Sequence, residues 1–481
     1  MTGSAGRDRL DWPTRIGFMV CAMPELIKSF AWDAFVLFYY AQVVRLNPGL
    51  IGTALIIVLV FDTAVDPYVG TVSDRIRRAP LGRRHTLMAA AILPFAIGLA
   101  LVFSPPAGLS QFGIFAWLVG FGLLARVGIS FWTVPAYAMG GELSRDPRER
   151  AVIAVMRNLG NQAAVLTVPA IAFGWLFVAS PAFPKPQLDP APYPGFGLFV
   201  SLLGAALMVI GILGTRARLR QIERNDTSAG PPARAASPVA IVRQIVGAVR
   251  VTPNVGRLFV VGLLVLFTTS VINQLSLHLA TYFWQLDAAA TRSLLMAGTL
   301  GALVAMALAP HVMCWLGTRR AMIAGLTAYF LLQAGVVLLP LIGLGPAPAS
   351  AAIGGFVFAA RLAGGIAYGL YVVPFNTVTY DIGDEHEANS GSPQQGFVAS
   401  MMFLGLQIGS GLVGLMSGLF LHLIDFPAGS AVADVPVAKV HALAWFVITL
   451  ILLAGATVSW AVSRFTVSSA KQDEIRAQLA R

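Results

Sequence analysis

The chain has 481 residues, of which 57% are hydrophobic and only 11% charged, and its formal net charge is +11. Because soluble domains carry about 25% charged residues, this composition excludes an ordinary soluble protein. The arginines cluster in alternate connections and the intervening loops are uncharged, which is typical of membrane topology and argues against nucleic-acid binding.

Twelve apolar runs follow one another along the chain, and most reach the roughly 20 residues that cross a hydrocarbon core. They predict an all-α membrane protein with twelve transmembrane helices and, from the arginine-rich connections, cytoplasmic termini. The predicted spans are 16–44, 50–74, 86–105, 110–140, 151–180, 194–215, 256–284, 289–313, 320–343, 350–378, 396–424 and 439–463.

Polar breaks divide the chain into three parts. We expect a six-helix bundle over residues 1–216, a cytoplasmic linker with a surface amphipathic helix over 217–254, and a second six-helix bundle with a cytoplasmic tail over 255–481. Two segments of the first half have counterparts in the second: "LGRRHTLMA" corresponds to "LGTRRAMIA", and "VPAYAMGGE" to "VPFNTVTYD". Such matches predict parallel repeats, as in the two halves of major facilitator transporters.

Two aspartates in the second span, Asp62 and Asp66, stand one helical turn apart inside an apolar run. Ionised carboxylates are expensive inside a membrane and usually line a pathway. Because adjacent carboxylates need compensation and oxygen ligands suit hard cations, the pair predicts a site for Na⁺ or H⁺. The alternative is structural: Asp62 pairs with an arginine from another helix, and Asp66 caps the bend at Pro67.

The first span carries Glu25, Lys28 and Asp33. Glu25 and Lys28 have the spacing of an intrahelical ion pair. A second interpretation is that Glu25 or Asp33 lines a solute cavity.

Further polar residues in predicted spans are Arg126, Arg157, Asn161 and Arg361. Arginine binds carboxylates and phosphates in a bidentate manner, so an anionic solute is one interpretation and neutralisation of the aspartates is the other. In the seventh span, four residues could hydrogen-bond or stack on a ligand: Gln274, His278, Tyr282 and Trp284. Aromatic residues near helix ends are, however, typical of interface anchors.

Four segments resemble the glycoside–pentoside–hexuronide:cation symporters, the melibiose-permease-like branch of the major facilitator superfamily. They are "FDTAVDPYVGTVSDR…LGRR", "FYYAQVVRLNPGLIG", "VPAYAMGGELSRDPRERAVIAVMRN" and "YDIGDEHEANSGSPQQGFVAS". The resemblance implies the major facilitator fold with two six-helix bundles, a cation site at Asp62 and Asp66, completed by the helix-four hydroxyl of Ser130, and a solute-binding role for Arg157.

The chain departs from the family pattern at three positions. An aspartate of helix four that contacts galactosides in some members corresponds to Thr133, which we group with Ser130 as a candidate cation ligand. A helix-eleven lysine corresponds to Gln407, a candidate solute ligand. A sugar-binding aspartate of helix one falls near Leu26, beside Glu25. These departures weaken an assignment to galactosides and leave the aspartate pair intact.

We therefore expect a transporter, not an enzyme, that couples the uptake of a sugar, glycoside or hexuronide to Na⁺ or H⁺. It would use no cofactor beyond the coupling ion, contact membrane lipid and no nucleic acid, and work as a monomer in the bacterial inner membrane. One alternative is a proton-coupled transporter or exporter of lipid-like amphiphiles. The other is a membrane receptor without transport.

Overall fold

A computed structural model describes residues 10–75, 81–144, 146–225, 247–390 and 395–464. Within these ranges the side chains of 62–64, 66–68, 70–75, 141, 147, 223–225, 380, 390, 395–407 and 410 are not described. All regular secondary structure in the described part of the chain is helical, and this part contains no strand.

Two compact units, Met1–Ala235 and Ala236–Arg481, divide the chain. In the first unit we number six helices. They are α1 (Trp12–Cys21 and Met23–Ala31, continued by π-helical turns at Trp32–Val36 and Tyr39–Val43), α2 (Pro48–Arg75), α3 (Arg83–Val102), α4 (Gln111–Glu142), α5 (Pro147–Ile171, continued by a π-helical turn at Ala172–Leu176) and α6 (Pro192–Asn225).

In the second unit we also number six helices. Its helices are α7 (Pro253–Gln274 and Ser276–His278, continued by a π-helical turn at Leu279–Phe283), α8 (Ala288–Leu316), α9 (Thr318–Leu341), α10 (Ile353–Ser390), α11 (Gln395–Leu423) and α12 (Val437–Ser463). Each corresponds to one of the twelve predicted spans.

Nine helices of the described chain are long and apolar enough to cross a membrane, by length and composition. Two helices extend beyond the ends of their predicted spans: α6 continues to Asn225 and α10 to Ser390. Hydropathy marks the part of a helix that suits lipid, and charged residues can extend the same helix beyond it. The predicted linker at 217–254 therefore begins inside α6, and most of its expected amphipathic helix lies outside the described residues.

Short polar side chains start several helices. Asp11 accepts a hydrogen bond from the Thr14 amide, Ser110 from the Gly113 amide, and Asp287 from the Ala290 amide at 2.7 Å. Such N-caps satisfy amides that have no partner inside the helix.

The backbone repeats itself between the two units. The π-helical turns Tyr39–Val43 and Leu279–Phe283 are each followed by a residue with positive φ, Arg45 at 61° and Gln285 at 54°. Gly82 before α3 and Gly317 before α9 both have positive φ as well. The predicted sequence repeat is therefore also a repeat of backbone conformation.

Glycines let neighbouring helices approach closely. A Cβ built on Gly98 of α3 would lie 2.4 Å from the Ala125 amide nitrogen of α4. A Cβ on Gly301 of α8 would lie 2.1 Å from the Leu362 carbonyl oxygen of α10. Inside membranes, where lipid replaces water, this close backbone packing is a main source of helix association.

Gly301→Ala should therefore destabilise the second unit, because the added methyl group forces α8 and α10 apart at a cost of about 1–3 kcal/mol. The matched control is Gly298→Ala on the same helix, where an added Cβ would meet nothing within 4 Å. We expect a lower apparent Tm in detergent for Gly301→Ala and an unchanged or higher one for the control. Equal Tm values for the two variants would contradict the packing described here.

Candidate functional site

Three polar side chains from different helices meet in the first unit. Tyr137 of α4 is hydrogen-bonded to Glu25 of α1 and to Arg157 of α5. The Arg157 guanidinium carbon lies 3.6 Å from the centroid of the Tyr137 ring. Because 52% of Tyr137 is exposed, a ligand could reach this cluster.

Local packing holds these three helices together. The Trp132 indole nitrogen donates a hydrogen bond to the Cys21 carbonyl at 2.7 Å, which ties α4 to α1. A Cβ on Gly160 of α5 would lie 2.6 Å from the Met19 carbonyl oxygen, so glycine is needed where α5 crosses α1. These contacts place the ends of Glu25 and Arg157 within reach of one phenol.

A second group of charges lies further along α1. Asp33 interacts electrostatically with Lys28 on its own helix and with Arg126 of α4. Lys28 is only 1% exposed, and Asp33 lies in the π-helical turn Trp32–Val36. Such π-turns occur frequently at functional sites.

The two groups are the ends of one polar strip on α4. Arg126, Ser130, Thr133 and Tyr137 follow the spacing of a single helix face. Ser130 is 2% exposed and Thr133 is half-buried. Because Asp33 interacts with Arg126 and Glu25 with Tyr137, α1 carries acidic residues toward both ends of this strip.

The remaining predicted residues fall into three cases. Asn161 lies one turn after Arg157 on α5, and its buried Oδ1 has no hydrogen-bond partner among the described residues. Asp62 and Asp66 lie one turn apart on α2, which packs against α4, but their side chains are outside the described part of the structure. The same holds for Gln407 on α11. Their roles stay predictions.

Arg361 lies in the second unit, where it is 6% exposed and donates a hydrogen bond to Gln333 of α9 at 3.0 Å. Its predicted role as a solute ligand stays a prediction. The described residues contain no group of three or more His, Cys, Asp or Glu side chains that could hold a metal ion.

Helix ends of the first unit are joined by ion pairs. Arg15 pairs with Glu149 at 2.7 Å, and both Arg83 and Arg84 pair with Glu142 at 2.8 Å. The pair of Arg15 and Glu149 is largely buried, with side chains 16% and 7% exposed, whereas the Glu142 pairs are more accessible.

Tyr137 is the site residue that sequence reasoning missed. Its segment, "VPAYAMGGE", was noted as a repeat and as part of a segment that resembles the family, and a tyrosine near a helix end is typical of an interface anchor. Its position on the same face as Arg126 and Ser130, one turn after Thr133, is the signal that could have identified it.

Sequence comparison relates nearly the whole chain to known transporters. The family described as "MFS/sugar transport protein" matches residues 17–469. The putative glycoside/cation symporter YagG of Escherichia coli (strain K12) is 25% identical over 98% of this chain and 95% of its own length. The glucuronide carrier protein homolog of the same organism is 25% identical over 44% of this chain and 46% of its own length.

Solved structures share the fold. The nucleoside transporter NupG has a TM-score of 0.57 at 14% identity, covering 92% of this chain and 98% of its own. The xylose transporter XylE from E. coli, in a partially occluded inward open conformation, has a TM-score of 0.59 at 12% identity, covering 95% and 97%.

These comparisons confirm the predicted all-α membrane protein with the major facilitator fold, and they identify a multi-pass transporter instead of an enzyme. They also confirm the resemblance to the cation symporters of glycosides, pentosides and hexuronides. The chain belongs to the MFS/sugar transport protein family.

Proposed function

We propose that the protein carries a sugar, glycoside or hexuronide across the bacterial inner membrane by alternating access, coupled to Na⁺ or H⁺. The polar strip on α4, which meets acidic residues of α1 at both ends, carries this proposal. It offers hydrogen-bonding groups for a hydroxylated solute next to the helix that bears Asp62 and Asp66. The resemblance to a putative glycoside/cation symporter supports the same conclusion.

Charge balance supports cation coupling. The inner parts of α1, α2, α4 and α5 contain three cations, Lys28, Arg126 and Arg157. The same parts contain four carboxylates, those of Glu25, Asp33, Asp62 and Asp66. One negative charge is left over, and uncompensated charge inside a membrane is costly. A single Na⁺ or H⁺ at Asp62 and Asp66, with Ser130 and Thr133 as further oxygen ligands, would neutralise it.

Solute would bind at the Glu25, Tyr137 and Arg157 cluster. A carboxylate and a guanidinium facing one space can hydrogen-bond adjacent sugar hydroxyls, and the guanidinium can also hold the carboxylate of a hexuronide. Asn161 brings an unsatisfied amide oxygen to the same side of α5. The link between Glu25 and Arg157 through Tyr137 supports Glu25 as the counterpart of the family's sugar-binding aspartate on helix one.

The remaining features of the proposal follow from the sequence. The arginine-rich connections favour cytoplasmic termini, and a single chain supplies both six-helix units, so a monomer is sufficient. No cofactor beyond the coupling ion is needed, because coupling requires only that cation and solute favour the same conformation.

Export of lipid-like amphiphiles and a receptor without transport are the competing functions. An exporter would move apolar cargo outward without solute-dependent Na⁺ binding. A receptor would bind ligand without flux across the membrane. An aspartate pair beside a strip of hydroxyl and guanidinium groups is less expected in an exporter of amphiphiles or in a receptor than in a symporter.

Thermal unfolding of the purified protein in detergent tests the proposal. The panel contains neutral glycosides, hexuronates and lysophospholipids, each with sodium or choline as the cation and at two pH values. Ligands that bind the native state raise its apparent stability. Stabilisation by a sugar that increases with Na⁺, or with proton concentration, would support symport. Stabilisation by lysophospholipid alone would favour the competing exporter.

Asp66→Asn should abolish gradient-driven uptake into proteoliposomes, because removing one carboxylate leaves no excess charge for the cation to neutralise. Asp287→Asn is the matched control, since Asp287 caps α8 and asparagine caps a helix equally well. The control should retain concentrative uptake. If Asp66→Asn also retained it in full, Asp66 would not be part of the coupling site.

Tyr137→Phe should weaken solute binding by about tenfold or more, because it removes a hydroxyl that bonds two charged groups. Tyr40→Phe makes the same change in the same unit, where the hydroxyl donates to the Val102 carbonyl at 2.7 Å. We expect the control to keep the wild-type solute affinity in the thermal assay. Equal affinities for all three proteins would place the solute elsewhere.

A further inference from the structure

A small cavity lies within the second unit and is lined by parts of α7, α8, α9, α10 and α12. Its lining is mostly aliphatic, with four polar members: Ser276, Trp284, Gln333 and Arg361. The volume of the cavity is about 10 Å³. This is close to the minimum for one water molecule or one monatomic ion, and far too little for a sugar.

Arg361 places its positive charge at this cavity. No salt bridge joins it to a carboxylate within the described ranges. Its described neighbours are the Gln333 amide oxygen and the phenol of Tyr329, which is hydrogen-bonded to the Thr269 hydroxyl at 2.8 Å. A buried charge without compensation costs several kcal/mol, so a counter-ion is expected.

Two N–H groups of residues that line the cavity lack an acceptor among the described residues. The Arg361 Nε and the Trp284 indole nitrogen are buried, and neither has a hydrogen-bond partner in the described part of the chain. Trp284 is 2% exposed, so it is not the interface anchor that its place at a helix end suggests. Guanidinium and indole groups donate and do not accept hydrogen bonds. The guest that satisfies both must therefore be an acceptor.

The surrounding side chains are placed to support this arrangement. The Gln333 amide is seated against Gly364 of α10, where an added Cβ would lie 2.9 Å from its nitrogen. Its oxygen is thereby directed at Arg361, which fixes one edge of the guanidinium and leaves Nε for another partner. A water molecule could accept from these donors, but it could not neutralise the charge.

We propose that this cavity binds one small monovalent inorganic anion, held by the guanidinium of Arg361 and the indole N–H of Trp284. The site lies within the second unit and does not depend on the proposed transport activity. Charge, donor chemistry and size select the same ligand class, for which chloride is the probe. The carboxylate of an acidic solute has similar chemistry, but the cavity cannot take the sugar ring attached to it.

The test compares thermal unfolding in sodium chloride and in sodium gluconate at equal concentrations. Sodium and ionic strength stay constant, so cation coupling and screening cannot produce a difference. We expect the apparent Tm to rise with chloride and to saturate, as mass action requires for one site. Equal Tm values in the two salts over the whole titration would overturn the proposal.

Three variants assign the effect to the cavity. Trp284→Phe keeps an aromatic ring but loses the N–H, and should weaken chloride binding about tenfold or more. Trp460→Phe, at a tryptophan that is 60% exposed, should not change it. Arg361→Met should abolish it; if this variant fails to fold, Arg361→Lys keeps the charge and should bind chloride more weakly. An unchanged chloride dependence in Trp284→Phe would overturn the two-donor site.

Two further measurements distinguish the source of the anion. Bromide in place of chloride should give an anomalous scattering peak at the cavity in crystals of the wild type, and no peak there would overturn the proposal. Hexuronate in gluconate buffer should not replace chloride. Protection by hexuronate that Trp284→Phe removes would mean that solute occupies the cavity, which would also overturn it.

Discussion

The structure depends on one constraint, which is that each charge inside a membrane-spanning bundle needs compensation within that bundle. The first unit meets it with side chains of both signs, at the helix ends through Arg15 and Glu149 and in the interior through Glu25, Tyr137 and Arg157. The second unit buries Arg361 with only an amide and a phenol nearby in its described part. The two units therefore solve the same problem differently, and our proposals assign each a ligand: a cation near α2 and an anion beside α10.

The backbone repeat makes this difference informative. Tyr39–Val43 and Leu279–Phe283 are the same π-helical turn in the two units, and Arg45 and Gln285 have the same positive φ after it. The repeated sequence thus retains the fold while the buried charges differ. Because geometry is shared and chemistry is not, we propose the coupling cation for the first unit, where the inner parts of α1, α2, α4 and α5 carry four carboxylates and three cations.

Hydropathy was sufficient to predict the twelve helices, since lipid requires long uninterrupted apolar segments. It could not predict that α6 continues to Asn225, because helix propensity persists where the apolar run stops. Glu25 and Arg157 could be proposed as site residues because a charged side chain inside a membrane is energetically costly. Tyr137 was missed, and Trp284 was left between a ligand contact and an interface anchor, because a lone aromatic residue has the same sequence signature at an interface, in a core and in a site. Only contacts between distant helices distinguish these cases.

A departure from α-helical geometry lies beside the buried charges of α1 and beside the proposed anion site. Asp33 lies within the π-helical turn Trp32–Val36, and Trp284 follows the one at Leu279–Phe283. In the second case the chain then turns through Gln285 at a φ of 54°, and the Leu286 amide bonds back to the Ala280 carbonyl at 2.8 Å. This turn keeps Trp284 in the bundle instead of at its margin. A wider helical turn also costs stability that a regular helix would retain. The turns at Asp33 and before Trp284 are therefore better explained by the positioning of these side chains than by packing.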